Sequence, residues 1–306
     1  MKSNYPLKEL TTIKIGGPAK CFMEAKNEKE LIDAINWTKK LKVKWYVIGE
    51  GSNLVPSDKG FNGLIIKNKI SNLEVNKEKI TVGAGYTLLD LINKLNKLGL
   101  SGLERMAGIP GTVGGAVYGS AGAYGQEIKD RVIKVKVFDG IKSFWINKEK
   151  CNFVYRNSIF KRKKDWIITE VKLKLDKANP KDLTKISKEI IKTREKKYPP
   201  NLLCPGSFFK NIIISEIRPM TLRNKFLLKI SEDKINYGKV SAGYLLESIG
   251  AKSIKQGNIK VADYHGNLIY NLGNGRSSDI IKLSNILKDK VKQKFGITLE
   301  EEVQYI

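Results

Sequence analysis

Histidine is almost missing from this chain: a single one, His265, occurs in 306 residues. Zinc and related metals usually take several His or Cys ligands, so no metal site is expected. Cysteine is scarce as well. The 3 cysteines, Cys21, Cys151 and Cys204, stand far apart and form no C-x-x-C pair. An odd, scattered set argues against a disulfide framework and against a thiolate metal site. No apolar run approaches the roughly 20 residues a membrane helix requires, so no membrane insertion is expected. The stretch from Met1 to Gly17 is broken by Lys8 and Lys14 and lacks the apolar centre of a signal peptide. A cytoplasmic location is the default expectation.

Acidic residues are the minority charge: 31 Asp and Glu against 56 Lys and Arg give a formal net charge of +25. Such an excess fits a nucleic-acid partner, because each neutralised phosphate releases counterions. It fits equally a lysine-rich surface. The lysines run from end to end, and the densest cluster, Lys161 to Lys164, is short. The distribution favours a solvated surface that steers anionic ligands over specific nucleic-acid recognition.

The first part of the chain alternates strand and helix signals. Asn27 with Glu30 has the form of a capping box opening a helix from Glu28 to Leu41. Trp45 to Ile48, Leu64 to Ile66 and Lys79 to Val82 read as short strands. Leu88, Leu91, Leu95 and Leu98 share one face of a helix from Thr87 to Leu98. Val135 to Val137 and Val171 to Leu175 alternate like half-buried strands. A charged helix is expected from Pro180 to Lys197, stopped by Tyr198-Pro199-Pro200. Helices near Ser241 to Ile249 and from Asp279 to Phe295 follow.

Two glycine-rich stretches carry the first functional signal. Gly49-Glu50-Gly51-Ser52-Asn53 follows a strand directly, and its backbone N–H groups can converge on a phosphate. A plain tight turn is the alternative. Leu54, Val55 and Pro56 come next in place of a third glycine and a helix, which rules out a Rossmann fingerprint. Gly108-Ile109-Pro110-Gly111-Thr112-Val113-Gly114-Gly115 lacks the Lys-Ser/Thr ending of a P-loop, and Gly122-Ala123-Tyr124-Gly125 follows closely. So much glycine costs backbone entropy on folding, and close approach of a ligand accounts for it better than a turn. Two such loops suggest a long, pyrophosphate-bearing ligand.

In order and spacing, Ile15 to Ala19, Ile48 to Leu54, Gly108 to Val113 and Gly122 to Gly125 resemble the UDP-N-acetylenolpyruvoylglucosamine reductase family. The resemblance covers nearly the whole chain. It implies an α+β protein with a two-lobed FAD-binding domain of the vanillyl-alcohol oxidase and p-cresol methylhydroxylase type at 1–178 (lobes about 1–67 and 68–178). A linking helix at 179–199 and a C-terminal α/β substrate-binding domain at 200–306 complete the chain. It implies bound FAD, NADPH as co-substrate, and reduction of UDP-N-acetylenolpyruvoylglucosamine to UDP-N-acetylmuramate in peptidoglycan precursor synthesis. The expected cofactor residues are Gly49, Glu50, Gly51, Ser52, Asn53, Gly108, Pro110, Gly111, Thr112, Gly114, Gly122, Tyr124 and Gly125.

The same resemblance assigns catalytic residues. Tyr155-Arg156-Asn157-Ser158 resembles the family's Tyr-Arg-x-Ser, whose arginine lies in the active site. A forked, fixed cation suits a carboxylate and a developing enolate. Gly206-Ser207-Phe208-Phe209-Lys210-Asn211 resembles the segment whose serine gives a proton. Leu299 to Val303 resembles Leu-Glu-x-Glu-Val, which maps its second glutamate onto Glu302. Apart from the resemblance, Arg156 reads as an ion-pair residue, Ser207 as a turn hydroxyl and Glu302 as part of a solvated acidic run. Tyr155, Lys197, Asn211 and His265 are carried over as substrate-binding residues; His265 serves equally as a structural imidazole. Two departures stand out. Ser120 occupies a position where the family commonly has Asn, and Pro205 replaces a small residue. The interval from Arg156 to Ser207 is too short for a tyrosine-bearing lid insertion, which implies the branch without it.

Two other classes fit parts of this pattern. A basic nucleic-acid-binding protein would carry no flavin. An FAD oxidase of the same fold would share the glycine loops without needing Ser207 or Glu302.

Overall fold

The computed structural model describes residues 1–306. Packing divides them into two units, one of Met1–Tyr5, Ala19–Glu50 and Asn62–Pro199, the other of Pro6–Pro18, Gly51–Phe61 and Pro200–Ile306.

The first unit is built around two sheets. One has the strand order Lys2–Pro6, Pro18–Ala25, Phe61–Asn68, Lys44–Ile48. Its last two strands run parallel, with Trp45 opposite Leu64. Helix Glu28–Lys40 covers this sheet. Asn27 accepts from the Glu30 N–H at 2.9 Å, and the Glu30 carboxylate accepts from the Lys26 N–H at 2.8 Å, so the helix starts where the capping pattern expects. Leu31, Ala34 and Ile35 pack with Leu64 and Ile66, and with Phe138 and Ile167 from the second sheet.

The second sheet is antiparallel, in the order Ser143–Asn147, Val132–Phe138, Ile167–Lys174, Lys79–Gly83, Leu73–Asn76. Val135, Val137, Val171 and Leu173 alternate inward, as period-2 patterning requires, and meet Leu88, Leu91, Ile92 and Leu95 of helix Leu88–Lys97. Helix Pro180–Lys197 lies on the same unit. Its Ser187 hydroxyl accepts from the Asn96 amide at 2.8 Å and donates to the Glu104 carbonyl at 3.1 Å.

In the second unit, strands Lys255–Gln256, Ile259–Ala262 and His265–Asn271 form an antiparallel sheet. Leu245 and Leu246 of helix Ala242–Ser248 pack with Val261 and Ile269 of that sheet and with Ile280, Leu283 and Leu287 of helix Ser277–Phe295. Ile13, Ile15 and Val55, early in sequence, belong to the same core. Asp58 caps the long helix from a distance, accepting from the N–H groups of Ser277 at 2.7 Å and Ser278 at 3.1 Å. Gln304–Tyr305 adds a parallel pairing to Leu54–Val55.

Candidate functional site

Within the first unit, Gly49, which opens the first glycine stretch, lies against Thr112 of the second. A Cβ on Gly49 would lie 2.6 Å from the Thr112 hydroxyl oxygen. That oxygen accepts from the Gly115 N–H at 3.2 Å and caps a short helix, Val113–Gly119. This helix was not expected inside a glycine-rich loop; the sequence Val-Gly-Gly-Ala-Val carries almost no helix propensity. Its closeness to the neighbouring strand explains Gly114, whose N–H donates to the Ala84 carbonyl at 2.8 Å. The Gly111 carbonyl accepts from Leu88 N–H at 3.0 Å, fixing the turn that contains Gly108 and Pro110. Leu54–Val55, a strand, follows the first glycine loop, in keeping with a non-Rossmann connection.

Glu50 has a local role. Lys67 and Lys69 each approach its carboxylate at 2.7 Å. Burial alone would raise its pKa, but the two lysines hold it below the usual carboxylate range. With its side chain engaged in this way, Glu50 offers a phosphate only its backbone.

The end of the short helix leaves open space. Gly119 has an ordinary φ, yet a Cβ there would meet no atom within 4 Å. Ser120 follows, buried, and its hydroxyl has no protein hydrogen-bond partner. Gly122–Ala123 then pairs with Gln126–Glu127 in a tight hairpin that exposes Tyr124 at its tip beside Gly125. A missing side chain with room for one, next to an orphaned buried hydroxyl, is what a cofactor packed against residues 119–125 requires.

Arg156 is held beside this hairpin. Its guanidinium donates to the Gly122 carbonyl at 2.8 Å and to the Ser120 carbonyl at 3.4 Å, and lies 5.0 Å from the Tyr155 ring centre. The backbone reinforces that placement. Val154 and Asn157 exchange hydrogen bonds across a tight turn, with Arg156 at φ 53°. A left-handed non-glycine residue is uncommon and persists where its surroundings fix it. Buried Ser158 supplies one such tie, donating to the Tyr118 carbonyl at 2.7 Å. Lys161 supplies another, to the Arg156 carbonyl at 2.9 Å. Lys197 lies at the end of helix Pro180–Lys197, 5.2 Å from the Tyr198 ring centre.

The second unit holds the remaining candidates. Asn267 clamps the serine segment: its carbonyl accepts from Phe208 N–H at 3.1 Å, and its side chain exchanges two 2.8 Å bonds with Phe209. Ser207 itself pairs with Leu268. On the other side of the segment, Glu302 N–H donates to the Phe208 carbonyl at 2.8 Å. Ser207 and Glu302, 95 positions apart in sequence, thus sit on adjoining extended segments. The neighbours of Glu302 are otherwise engaged: Glu300 pairs with Lys210, and Glu301 pairs with Lys288 at 2.7 Å and accepts from Ser284.

Asn53, expected at the cofactor, donates from its side chain to the Glu302 carbonyl at 3.0 Å, and its own carbonyl accepts from Gln304 at 2.9 Å. Gly51 is required by packing, since a Cβ there would lie 1.9 Å from the Leu10 carbonyl oxygen. Ser52 stands between them, half-buried. Asn211 accepts from Ala242 N–H at 3.2 Å, at the start of helix Ala242–Ser248. His265 accepts at Nδ1 from Asn267 N–H at 3.0 Å, which leaves the ring proton of the neutral imidazole on Nε2. Asn267, which clamps the serine segment, lay outside the expected site residues; its one local signal is the Asn of a His-x-Asn segment.

Residues 19–141 match the FAD binding domain family. Residues 198–306 match the C-terminal domain of UDP-N-acetylenolpyruvoylglucosamine reductase. The fold is α+β, an FAD-binding domain joined to that C-terminal domain, and the protein is an FAD-containing oxidoreductase. The UDP-N-acetylenolpyruvoylglucosamine reductase of Solibacter usitatus is 43% identical over 306 residues, covering 100% of this chain and 96% of the relative. That of Bacillus subtilis is 33% identical, covering 99% and 93%. A crystal structure of UDP-N-acetylenolpyruvylglucosamine reductase from Thermus caldophilus superposes with a TM-score of 0.76 at 30% identity, covering 98% of this chain and 97% of that one. The chain belongs to the UDP-N-acetylenolpyruvoylglucosamine reductase family.

Proposed function

We propose that this protein uses NADPH and FAD to reduce UDP-N-acetylenolpyruvoylglucosamine to UDP-N-acetylmuramate, a step of peptidoglycan precursor synthesis in the cytoplasm. The observation that carries the reading is the placement of Ser207 and Glu302 on adjoining segments, the first clamped by Asn267. An oxidase sharing only the FAD-binding domain has no need of that arrangement. No helix is long and apolar enough to cross a membrane. The functional division is an FAD-binding domain at 1–178, a linking helix at 179–199 and a substrate-binding domain at 200–306.

FAD, when bound, supplies hydride chemistry, and the chain supplies binding, orientation and protons. Residues 49–53, 108–114 and 122–125 hold the cofactor largely through backbone. Arg156 takes the enolpyruvyl carboxylate and the enolate charge that grows as the terminal alkene carbon gains hydride. Glu302, carrying a proton, supports the same charge. Ser207 gives its proton to the ether-bearing carbon, and the resulting alkoxide regains one from solvent. A serine is a weak acid in water, but a carbanion is a strong base, so the transfer is not uphill. Tyr155, Lys197, Asn211 and His265 contact the nucleotide sugar. The positive surface steers this anionic substrate and does not read nucleic-acid sequence.

Incubating the purified protein with NADPH and the enolpyruvyl nucleotide sugar tests this. The expected product is heavier than the substrate by two hydrogens, formed one for one with NADPH oxidised. NADPH oxidation that proceeds only with oxygen, leaving the nucleotide sugar unchanged, would favour an oxidase.

A further inference from the structure

Helix Pro180–Lys197 ends with two cations against one aromatic ring: Arg194 and Lys197 lie 5.4 and 5.2 Å from the centre of Tyr198. Arg194 is half-buried. Its shaft crosses the second glycine loop, where a Cβ on Gly108 would come within 3.1 Å of the arginine Cδ. Its Nε is buried without a hydrogen-bond partner, and no carboxylate forms an ion pair with it. The groups within electrostatic reach are Tyr198, Tyr124 and a second cation, Arg156. Burial first, and Arg156 in addition, pull the guanidinium below its ordinary range.

A merely structural arginine in this position would have its buried Nε–H paired, because a buried donor without an acceptor is destabilising. Stacking on Tyr198 offsets only part of that cost. Arg156, the neighbour, has its fork already oriented by two backbone carbonyls. Two guanidinium groups in one neighbourhood, one of them lacking any counter-charge, match a ligand that brings its own oxygens.

We propose that Arg194 and Arg156 form one oxyanion receptor, in which Arg194 binds and positions an anionic group of the substrate. This rests on the function proposed above and adds to it a binding residue outside the resemblance. The oxyanion is either the enolpyruvyl carboxylate or the pyrophosphate, since both present paired oxygens to a planar fork.

The test uses FAD-loaded enzyme and follows perturbation of the oxidised flavin spectrum by two ligands. UDP-N-acetylmuramate carries both the carboxylate and the pyrophosphate; UDP-N-acetylglucosamine carries the pyrophosphate alone. Arg194→Gln keeps the aliphatic shaft across Gly108 and removes the charge. It is expected to weaken UDP-N-acetylmuramate binding by roughly ten- to a hundredfold, as for a hydrogen bond to a charged group. Arg194→Lys should recover part of that loss, and FAD content and melting temperature should stay at wild-type values. Loss confined to UDP-N-acetylmuramate identifies the carboxylate, and equal loss for both ligands identifies the pyrophosphate. Unchanged affinity for both overturns the proposal, as does a loss in Arg194→Gln and Arg194→Lys alike that tracks a fall in melting temperature. Wild-type enzyme that binds neither ligand instead sinks the proposed function on which the receptor rests.

Discussion

Arg156 donates to the carbonyl of Gly122 at 2.8 Å, so a main-chain oxygen fixes the orientation of the guanidinium before any ligand arrives. A cation already oriented needs little reorganisation when negative charge develops beside it. Arg156→Ala is therefore expected to slow flavin reoxidation by the enolpyruvyl substrate by roughly 10²–10³-fold. Arg156→Lys, which keeps charge but loses the fork, should not restore the wild-type rate. Single-turnover reoxidation measured beside the melting temperature checks this. A packing role predicts lower melting temperatures for both variants and no selective loss of rate.

Ser207 is expected to matter to one half of the reaction only. Ser207→Ala should leave reduction by NADPH near wild type and slow reoxidation by ~10²–10⁴-fold, the usual range for general acid catalysis. Stopped-flow traces of the two halves separate them, and equal slowing of both contradicts a proton-donor role.

Asn267 carries the placement of that serine. Its side chain makes both of its exchanges with Phe209 inside a buried setting, so Asn267→Ala leaves a backbone donor and an acceptor unsatisfied. A loss of about 1–3 kcal/mol of stability is expected. Chemical denaturation checks it; a change of a few tenths would mean that the segment is held elsewhere.

Glu50 gives a pH prediction. Its carboxylate titrates below the usual 4.5 in the folded protein because Lys67 and Lys69 bind the charged form. The unfolded chain binds the proton more readily, so this pairing stabilises the fold above pH 4.5 and is lost as pH falls through the lower, folded value. Glu50→Gln should melt at a lower temperature than wild type near neutrality, with the gap narrowing as the solution is acidified. A gap independent of pH would show that the ion pairs contribute nothing.

Thiol chemistry is a simple check on packing. Burial pushes the Cys151 thiol up to about 12, and Cys204 is raised as well by burial. Only half-buried Cys21 should react promptly with a disulfide reagent in the native state, giving one equivalent at first and three on unfolding.

Much of the fold was legible because local signals and tertiary packing agree. The Asn27–Glu30 box opens its helix, and the leucines from 88 to 95 face one core. Helix Val113–Gly119 was not legible, since its Gly114 is set by closeness to Ala84 and such a contact leaves no local trace. Neither was the membership of Ile13, Ile15 and Val55 in the core built mainly after residue 200, which depends on pairings hundreds of residues apart. Arg156, Ser207 and Glu302 became candidates only through ordered motifs. Asn53 was legible as a loop residue but not as the partner of the Glu302 carbonyl.

In the proposed reaction, electrons held on the bound flavin pass to an enolpyruvyl nucleotide sugar. Reduced, FAD-loaded protein should be mixed anaerobically with one equivalent of UDP-N-acetylenolpyruvoylglucosamine while the visible flavin band is recorded. Full return of the oxidised band, with one equivalent of UDP-N-acetylmuramate formed, is the predicted result. A flavin that stays reduced until oxygen is admitted would contradict a reductase acting on this substrate.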